Sequence, residues 1–244
     1  MTGPGAVWSP TDQQVRESRL WRFMHELDCN SYPELCKKAA GNPPRFWDAL
    51  VKELGIIWST PYDQVMDTSP GIPLTRWFPG GRLNAYESAV VRHRTSDPDR
   101  VAIINETEAG TSRQLTYAQL DETVERVAAG LHEIGVERGV AVGLYLPLVI
   151  ENAVALLACT KLGAVAVPLF SGFGAEAIRQ RLSDAQARVL ITADAAIRRG
   201  RPVSMKPIAL EAAAGLPHVE RLVVVRCAGV ESGAPDRREV PWED

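Results

Sequence analysis

The chain has 244 residues, of which 45% are hydrophobic and 23% are charged, and its formal net charge is -3. This balance is typical of a folded globular protein and excludes a disordered, collagen-like or coiled-coil chain. The lack of a basic excess argues against a dedicated nucleic-acid or anionic-membrane binder, because such proteins need cations that compete with salt for phosphates.

The first 83 residues are predicted to form a helical cap followed by a wrapping arm. They hold five of the six tryptophans, which is more aromatic area than an unpacked tail carries. Thr11 and Gln14 form a capping-box pattern that predicts a helix to about Asn30. Pro43 opens a second predicted helix that ends at Gly55. The prolines and glycines of residues 56–83 indicate an extended segment that lies over a neighbouring core.

Residues 84–244 alternate strands with helices, which predicts an α/β fold with a mostly parallel, doubly wound sheet flanked by helices. Thr116 and Gln119 form a second capping box, at the start of an amphipathic helix that ends at Gly135. The strands are apolar without alternation, as in a sheet covered on both faces. The predicted strands are Val101–Ile104, Arg113–Thr116, Val140–Leu146, Val165–Leu169, Val189–Thr192 and Leu222–Val225, and the other predicted helices are Ile150–Leu162, Ala175–Ala185 and Ile208–Ala214.

One apolar run, from Ala153 to Phe170, has about the length of a membrane span. It is interrupted by Lys161, Gly163 and Pro168. A buried helix that stops at the glycine and is followed by a strand explains all three residues, so no membrane association is expected.

The turn after Leu169 is a candidate ligand site, because ligands of open parallel sheets bind beyond the carboxyl ends of the strands. The glycine-rich segment Phe170–Ala177 leads from a strand into a helix, where backbone N–H groups could receive an anion. Gly172 and Gly174 also match the dinucleotide-binding fingerprint, with Asp194 placed as its ribose-binding acid. A free-standing, Rossmann-like dinucleotide-binding module therefore remains an open alternative.

Three arginines follow the strand that ends at Thr192, on the same edge of the predicted sheet. They are Arg198, Arg199 and Arg201, and their guanidinium groups suit phosphate because each offers a planar pair of N–H donors. A solvated basic loop is the alternative interpretation of this cluster.

The sequence shows no pattern of a nucleophile, a general base or a metal site. It contains neither the G-x-x-x-x-G-K-[ST] loop nor the G-x-S-x-G elbow, and its four histidines are scattered. The four cysteines lack zinc-ligand or CxxC spacing and are interpreted as reduced thiols. The N-terminus has no secretory signal pattern, so we expect a cytoplasmic protein.

Six short motifs follow one another along almost the whole chain. They are Pro61–Asp67, Arg76–Asn84, Leu115–Leu120, Leu146-Pro147, Phe170–Phe173 and Ile191–Asp194 with the arginines behind it. In this order they resemble the N-terminal part of the acetyl-CoA synthetase branch of the acyl-adenylate-forming (AMP-binding, acyl-CoA ligase) family. The resemblance implies an enzyme that converts a carboxylic acid and ATP to an acyl-adenylate and pyrophosphate, after which the thiol of coenzyme A displaces AMP.

The resemblance also implies where coenzyme A binds. The family's loop after the central strand, usually F-G-G-F, lines the pantetheine tunnel, and here a serine replaces its first glycine. The family's arginines behind the I-T-A-D strand bind the phosphates of the 3′-phospho-ADP part of coenzyme A. The residues implied to bind coenzyme A are Phe170, Ser171, Gly172, Arg198, Arg199 and Arg201.

The resemblance sets a domain boundary after residue 83, between an acetyl-CoA synthetase N-terminal-like region and the first part of the AMP-binding domain. The family's phosphate loop, ATP-ribose acid, acyl pocket and C-terminal lysine are expected downstream of residue 244. We therefore expect a front fragment with about half of a coenzyme A site, inactive alone, whose longer parent binds ATP, Mg²⁺ and a carboxylic acid. The fragment is expected to self-associate or to pair with the missing C-terminal part, and a purely structural fragment remains a third possibility.

Overall fold

The structure, a computed structural model, describes residues 7–108, 110–230 and 236–243. The chain folds as two compact units, Met1–Leu83 and Asn84–Asp244. None of the helices in the described ranges has the length and apolarity of a membrane span.

The first unit begins with four helices. The predicted capping box at Thr11 is confirmed, but the prediction of one helix to Asn30 is wrong. Ser18 has an extended backbone, and its Oγ accepts the N–H of Trp21, so a second helix starts there. The unit's small core joins the second, third and fourth helices. The helices are α1 (Asp12–Glu17), α2 (Arg19–Glu26), α3 (Tyr32–Gly41) and α4 (Pro43–Glu53).

The segment after α4 folds back on itself and is not a simple extended arm. Strand β1 (Met66–Asp67) pairs antiparallel with β2 (Arg76–Trp77). Thr60 and Arg82 exchange backbone hydrogen bonds of 2.9 and 3.1 Å. Backbone hydrogen bonds thus join distant parts of this segment at two places, between β1 and β2 and between Thr60 and Arg82.

Two glycines of the R-W-F-P-G-G motif allow close approach within this segment. A Cβ on Gly80 would overlap the carboxylate of Asp63, and one on Gly81 would lie 2.7 Å from the Trp58 ring. The Trp58 and Phe78 rings pack with their centroids 5.4 Å apart. The packing of a carboxylate and an aromatic ring against the backbone therefore explains why glycines occupy both positions of the motif.

The second unit is an α/β fold with a five-stranded parallel sheet flanked by helices, which confirms the predicted fold class. The strand order is β11-β10-β7-β5-β6, and two antiparallel hairpins, β3–β4 and β8–β9, lie outside this sheet. The strands are β3 (Val101–Glu106), β4 (Ser112–Thr116), β5 (Ala141–Tyr145), β6 (Val165–Pro168), β7 (Val189–Ala193), β8 (Ala195–Arg198), β9 (Arg201–Ser204), β10 (Arg221–Val225) and β11 (Glu239–Pro241). The helices are α5 (Arg92–Ser96), α6 (Tyr117–Glu133), α7 (Ile150–Leu162), α8 (Ala175–Ala185) and α9 (Lys206–Ala213).

Every residue of the central strands β5 and β7 is buried. Gly143 of β5 lies under α8, where an added Cβ would come within 2.6 Å of the Leu182 side chain. Helices α6 and α7 pack on each other, as do α8 and α9. This buried core fixes the carboxyl ends of β5, β6 and β7, where the candidate site lies.

Candidate functional site

The candidate site is built on three adjacent parallel strands. Strand β5 pairs with β7 on one side and β6 on the other, so the segments that follow all three strands leave the same edge of the sheet. The segment after β6 runs through residues 169–174 to α8, and the segment after β7 continues into the hairpin β8–β9.

The segment after β6 is held in place by Tyr145, the last residue of β5. Its hydroxyl lies 3.2 Å from the carbonyl oxygen of Phe173 and 3.4 Å from that of Ser171, and it donates to them. Burial raises the pKa of Tyr145, whereas Arg198 acts in the opposite direction, so the phenol stays a donor at neutral pH. Tyr145 was not singled out from the sequence. The available signal was its hydroxyl, a lone polar group at the end of an otherwise apolar strand.

Phe170 covers the glycine of this segment. A Cβ on Gly172 would lie 2.5 Å from a ring carbon of Phe170. The Phe170 and Phe173 rings meet edge to face, with centroids 5.6 Å apart, yet Phe170 is still 62% exposed. The segment thus presents a largely exposed aromatic ring that packs on the backbone of Gly172.

The arginines lie on a hairpin, although the sequence predicted only a loop after the strand. Arg198 of β8 is directly opposite Arg201 of β9, so their side chains leave the same face of the hairpin. Arg199 and Gly200 form the two-residue turn, with φ of 51° and 69°. Arg199 therefore sits at the tip, apart from the Arg198 and Arg201 pair.

The side chains of Arg198 and Arg201 make no ion pair within the part of the chain that the structure describes, although the carboxylate of Glu108 lies at the hairpin turn. Like charges directly opposite each other destabilise a hairpin. An anion bound between the two guanidinium groups would relieve that repulsion.

Arg198 connects the two segments. Its Nη2 atom donates to Oγ of Ser171 over 3.1 Å, and its guanidinium carbon lies 6.0 Å from the centroid of the Phe170 ring. At the hairpin tip, the N–H of Gly200 donates to a carboxylate oxygen of Glu108, 3.0 Å away in the β3–β4 connection. The structure thus brings Phe170 and Ser171 next to Arg198, while Gly172 lies against the Phe170 ring.

Asp194 does not face a ligand. It is 3% exposed, and its two oxygens accept backbone N–H groups at 2.7–3.3 Å from Ala195, Cys227, Ala228 and Val230. Burial alone would raise the pKa of this carboxyl, but these hydrogen bonds outweigh it and lower the pKa. The role of a ribose-binding acid, which the dinucleotide alternative requires, is therefore wrong for Asp194.

Cys227, just beyond β10, is not an activated nucleophile. Burial, followed by the charge of Asp194, raises the pKa of its thiol to about 12. The group stays protonated at neutral pH and contributes no thiolate to this edge of the sheet.

The fold and the site define a class: a parallel α/β protein with a paired-arginine hairpin at the carboxyl edge of its sheet. The family model described as AMP-binding enzyme matches residues 90–243, and the one described as acetyl-coenzyme A synthetase N-terminus matches residues 32–89. The chain belongs to the family of AMP-binding enzymes.

Similar proteins include an acetyl-coenzyme A synthetase from Mycobacterium tuberculosis, 41% identical over 87% of this chain and 33% of that protein. One from Methanothrix soehngenii is 34% identical over 98% of this chain and 36% of that protein. Among solved structures, acetoacetyl-CoA synthetase from Streptomyces lividans has a TM-score of 0.86 and 29% identity, over 98% of this chain and 38% of that chain. The chain spans about a quarter to a third of the length of the curated relatives it matches.

Proposed function

We propose that the chain forms the N-terminal part of an AMP-forming acid–thiol ligase. The observation that carries this proposal is the succession of the two family matches, residues 32–89 and then residues 90–243. On this proposal, residues 1–83 are the acetyl-CoA synthetase N-terminal region and residues 84–244 begin the AMP-binding domain. In the reaction, a carboxylate attacks the α-phosphorus of ATP and releases pyrophosphate, and the thiol of coenzyme A then attacks the acyl carbon and releases AMP.

This chain's part in the proposed reaction is to bind coenzyme A. The paired side chains of Arg198 and Arg201 would hold phosphates of its 3′-phospho-ADP part through charge-assisted hydrogen bonds. Arg199, at the tip of the hairpin, would add long-range attraction. Phe170 would border the pantetheine arm through the exposed part of its ring, and Gly172 would allow that ring to pack closely on the backbone of the segment.

ATP, Mg²⁺ and the carboxylic acid are proposed to bind to other parts of a longer protein, one of a length similar to that of the relatives. The described residues contain no group of three His, Cys, Asp or Glu side chains that could hold a metal ion, so no step through Mg²⁺ is assigned to this chain. Pairing with a C-terminal part, or self-association, would complete the assembly. The four cysteines are free thiols, which suits the proposed cytoplasmic location.

The test is a titration of coenzyme A and, separately, of NAD against the purified chain. Reversing both charges, with Arg198→Glu and Arg201→Glu, should weaken coenzyme A binding by well over tenfold, because each charge-assisted hydrogen bond is worth roughly 1.5–3 kcal/mol. The matched control, Arg16→Glu with Arg126→Glu, changes the net charge equally at two exposed positions and should alter the affinity by less than about twofold.

Two outcomes would contradict the proposal. Equal loss of affinity in both double variants would show only a net-charge effect. Binding of NAD that is tighter than that of coenzyme A, and that is unchanged in the Arg198→Glu, Arg201→Glu variant, would favour the dinucleotide alternative.

A further inference from the structure

The contact between Ser171 and Arg198 joins two segments that are 27 residues apart in the chain. The guanidinium group has five N–H donors, and the contact uses one of them. Among the described residues, none accepts from the other four donors, so the serine can hold the arginine and leave N–H groups for a phosphate.

The acceptor at Ser171 is itself held in place. The Tyr145 hydroxyl contacts the carbonyl oxygens of Ser171 and Phe173, and Tyr145 belongs to a strand that is buried along its whole length. A serine whose backbone is tied to a buried strand is a better support than one on a free loop, because the position of its Cα and Cβ varies little.

The arginine is held on a second side as well. Its guanidinium group lies beside the Phe170 ring, and the hairpin that carries it is pinned at the tip by the contact between Gly200 and Glu108. The Ser171 hydrogen bond therefore selects one orientation of a side chain whose backbone is already placed.

We propose that Ser171 is a positioning residue that pre-orients Arg198 for the phosphates of coenzyme A. This inference rests on the proposed function. An arginine loses several freely rotating torsions when it binds a phosphate, so an arginine that is ordered beforehand binds more tightly. A glycine at position 171 has no Oγ and cannot accept this hydrogen bond. The positioning of the arginine by residue 171 is therefore restricted to chains that carry a hydroxyl there.

The first test measures the hydrogen bond without any ligand. Side-chain ¹⁵N relaxation of the Nε–Hε groups should give a higher order parameter for Arg198 than for Arg199 in the wild-type chain. Ser171→Ala should lower the Arg198 value to that of Arg199, and Ser171→Thr, which keeps a hydroxyl, should preserve it. Arg199 serves as the internal control, since general loosening of the hairpin would lower both values. An Arg198 order parameter that is unchanged in Ser171→Ala overturns the inference.

The second test is a double-mutant cycle on coenzyme A binding. Ser171→Ala should weaken binding about two- to fivefold in the wild-type background, the range expected for one exposed hydrogen bond, and should have no effect in the Arg198→Ala background. The control Ser204→Ala removes an exposed hydroxyl from the same hairpin and should leave the affinity unchanged.

The two proposals fail in different ways. If Arg198→Ala leaves coenzyme A binding unchanged, the proposed function of this site is wrong, whatever the relaxation data show. If Arg198→Ala weakens binding but Ser171→Ala has the same effect in both backgrounds, the coenzyme A site stands and the positioning role of Ser171 is wrong.

Discussion

The carboxylate of Asp194 ties the end of β7 to the segment after β10. Its oxygens accept N–H groups from Ala195 on one side and from Cys227, Ala228 and Val230 on the other. An ionised carboxylate can accept several such bonds at once, which no neutral side chain of similar size can do. The residue therefore fixes backbone geometry next to the candidate site, and its oxygens are already engaged by backbone donors.

Replacing Asp194 by Ala should lower the free energy of unfolding by about 2–4 kcal/mol, because several N–H groups lose a charged acceptor. Urea unfolding followed by far-UV circular dichroism, together with the fluorescence of a variant that keeps only Trp242, would measure the change in the second unit. Asp184→Ala, which removes an exposed acid from α8, is the matched control and should change the value by less than about 0.5 kcal/mol.

The stability that Asp194 contributes should decrease as the pH falls. The folded-state pKa of Asp194 is lowered, so its contribution is complete above the unfolded pKa of about 3.9 and is lost as pH falls through the folded value. The difference between wild type and Asp194→Ala should therefore be constant above about pH 5 and shrink below about pH 4. A difference that grew on acidification would contradict an ionised Asp194.

At the scale of elements, the turn of the β8–β9 hairpin is strained at one position. Arg199 has a φ of 51°, in the left-handed region where a side chain with a Cβ is disfavoured by roughly 1–2 kcal/mol. Its partner Gly200 is free of this penalty. Two consecutive residues with positive φ are the arrangement that Asn-Gly adopts most readily in two-residue hairpins.

Arg199→Asn should therefore raise the free energy of unfolding by about 0.5–1 kcal/mol, while Arg199→Val, which is β-branched, should lower it by at least about 1 kcal/mol. The urea midpoints of the two variants measure both effects. Coenzyme A affinity should fall less with Arg199→Asn than with Arg198→Ala, because Arg199 lies at the tip. A larger loss with Arg199→Asn would place the phosphates at the tip of the hairpin.

The elements that the sequence predicted best have a strong local signal at one end at least. The predicted bounds Ile150–Leu162 and Ala175–Ala185 are those of α7 and α8. Helix α7 ends because Gly163 takes the left-handed conformation with φ of 70°, and α8 follows directly on the glycine-rich segment. Both signals are carried by residues within one turn of the boundary.

Elements decided by more distant or weaker signals were missed or misjudged. The sequence pattern around Ser18 is compatible with the interior of a helix. Only the extended backbone of Ser18 and the hydrogen bond that its Oγ accepts from the N–H of Trp21 divide α1 from α2. Helix α3 escaped prediction although Ser31 caps it. The Arg199-Gly200 turn lacks the Asn-Gly signal, and a strand that alternates with helices does not suggest an antiparallel hairpin behind it.

The same division holds for the candidate site. Sheet topology was enough to bring the 170–174 segment and the arginines to one edge, because parallel strands share their carboxyl ends. The contact between Ser171 and Arg198 depends on side-chain positions 27 residues apart and cannot be read from local patterns. Asp194 was misassigned as a possible ligand acid, because most of the N–H donors that it satisfies lie in the segment after β10.

At the scale of the whole molecule, the chain carries the fold of the family but spans only part of the length of its relatives. It matches the AMP-binding family over residues 90–243 and spans about a quarter to a third of its curated relatives. Stabilising the charge that develops on the phosphates of ATP needs several donors or a metal ion. The described residues hold no metal-binding cluster, and the sequence contains no G-x-x-x-x-G-K-[ST] loop.

We therefore expect the purified 244-residue chain to catalyse no acid-dependent exchange of pyrophosphate into ATP, with acetate or any other short-chain acid. The acetyl-coenzyme A synthetase of Mycobacterium tuberculosis, assayed in parallel, shows that the conditions support exchange. A mock purification from the same host without the gene measures background from host synthetases. Exchange by the chain that clearly exceeds this background would show that the adenylation machinery lies within these residues. It would also leave the coenzyme A titration with Arg198→Glu and Arg201→Glu as a separate question, because exchange of pyrophosphate needs no coenzyme A.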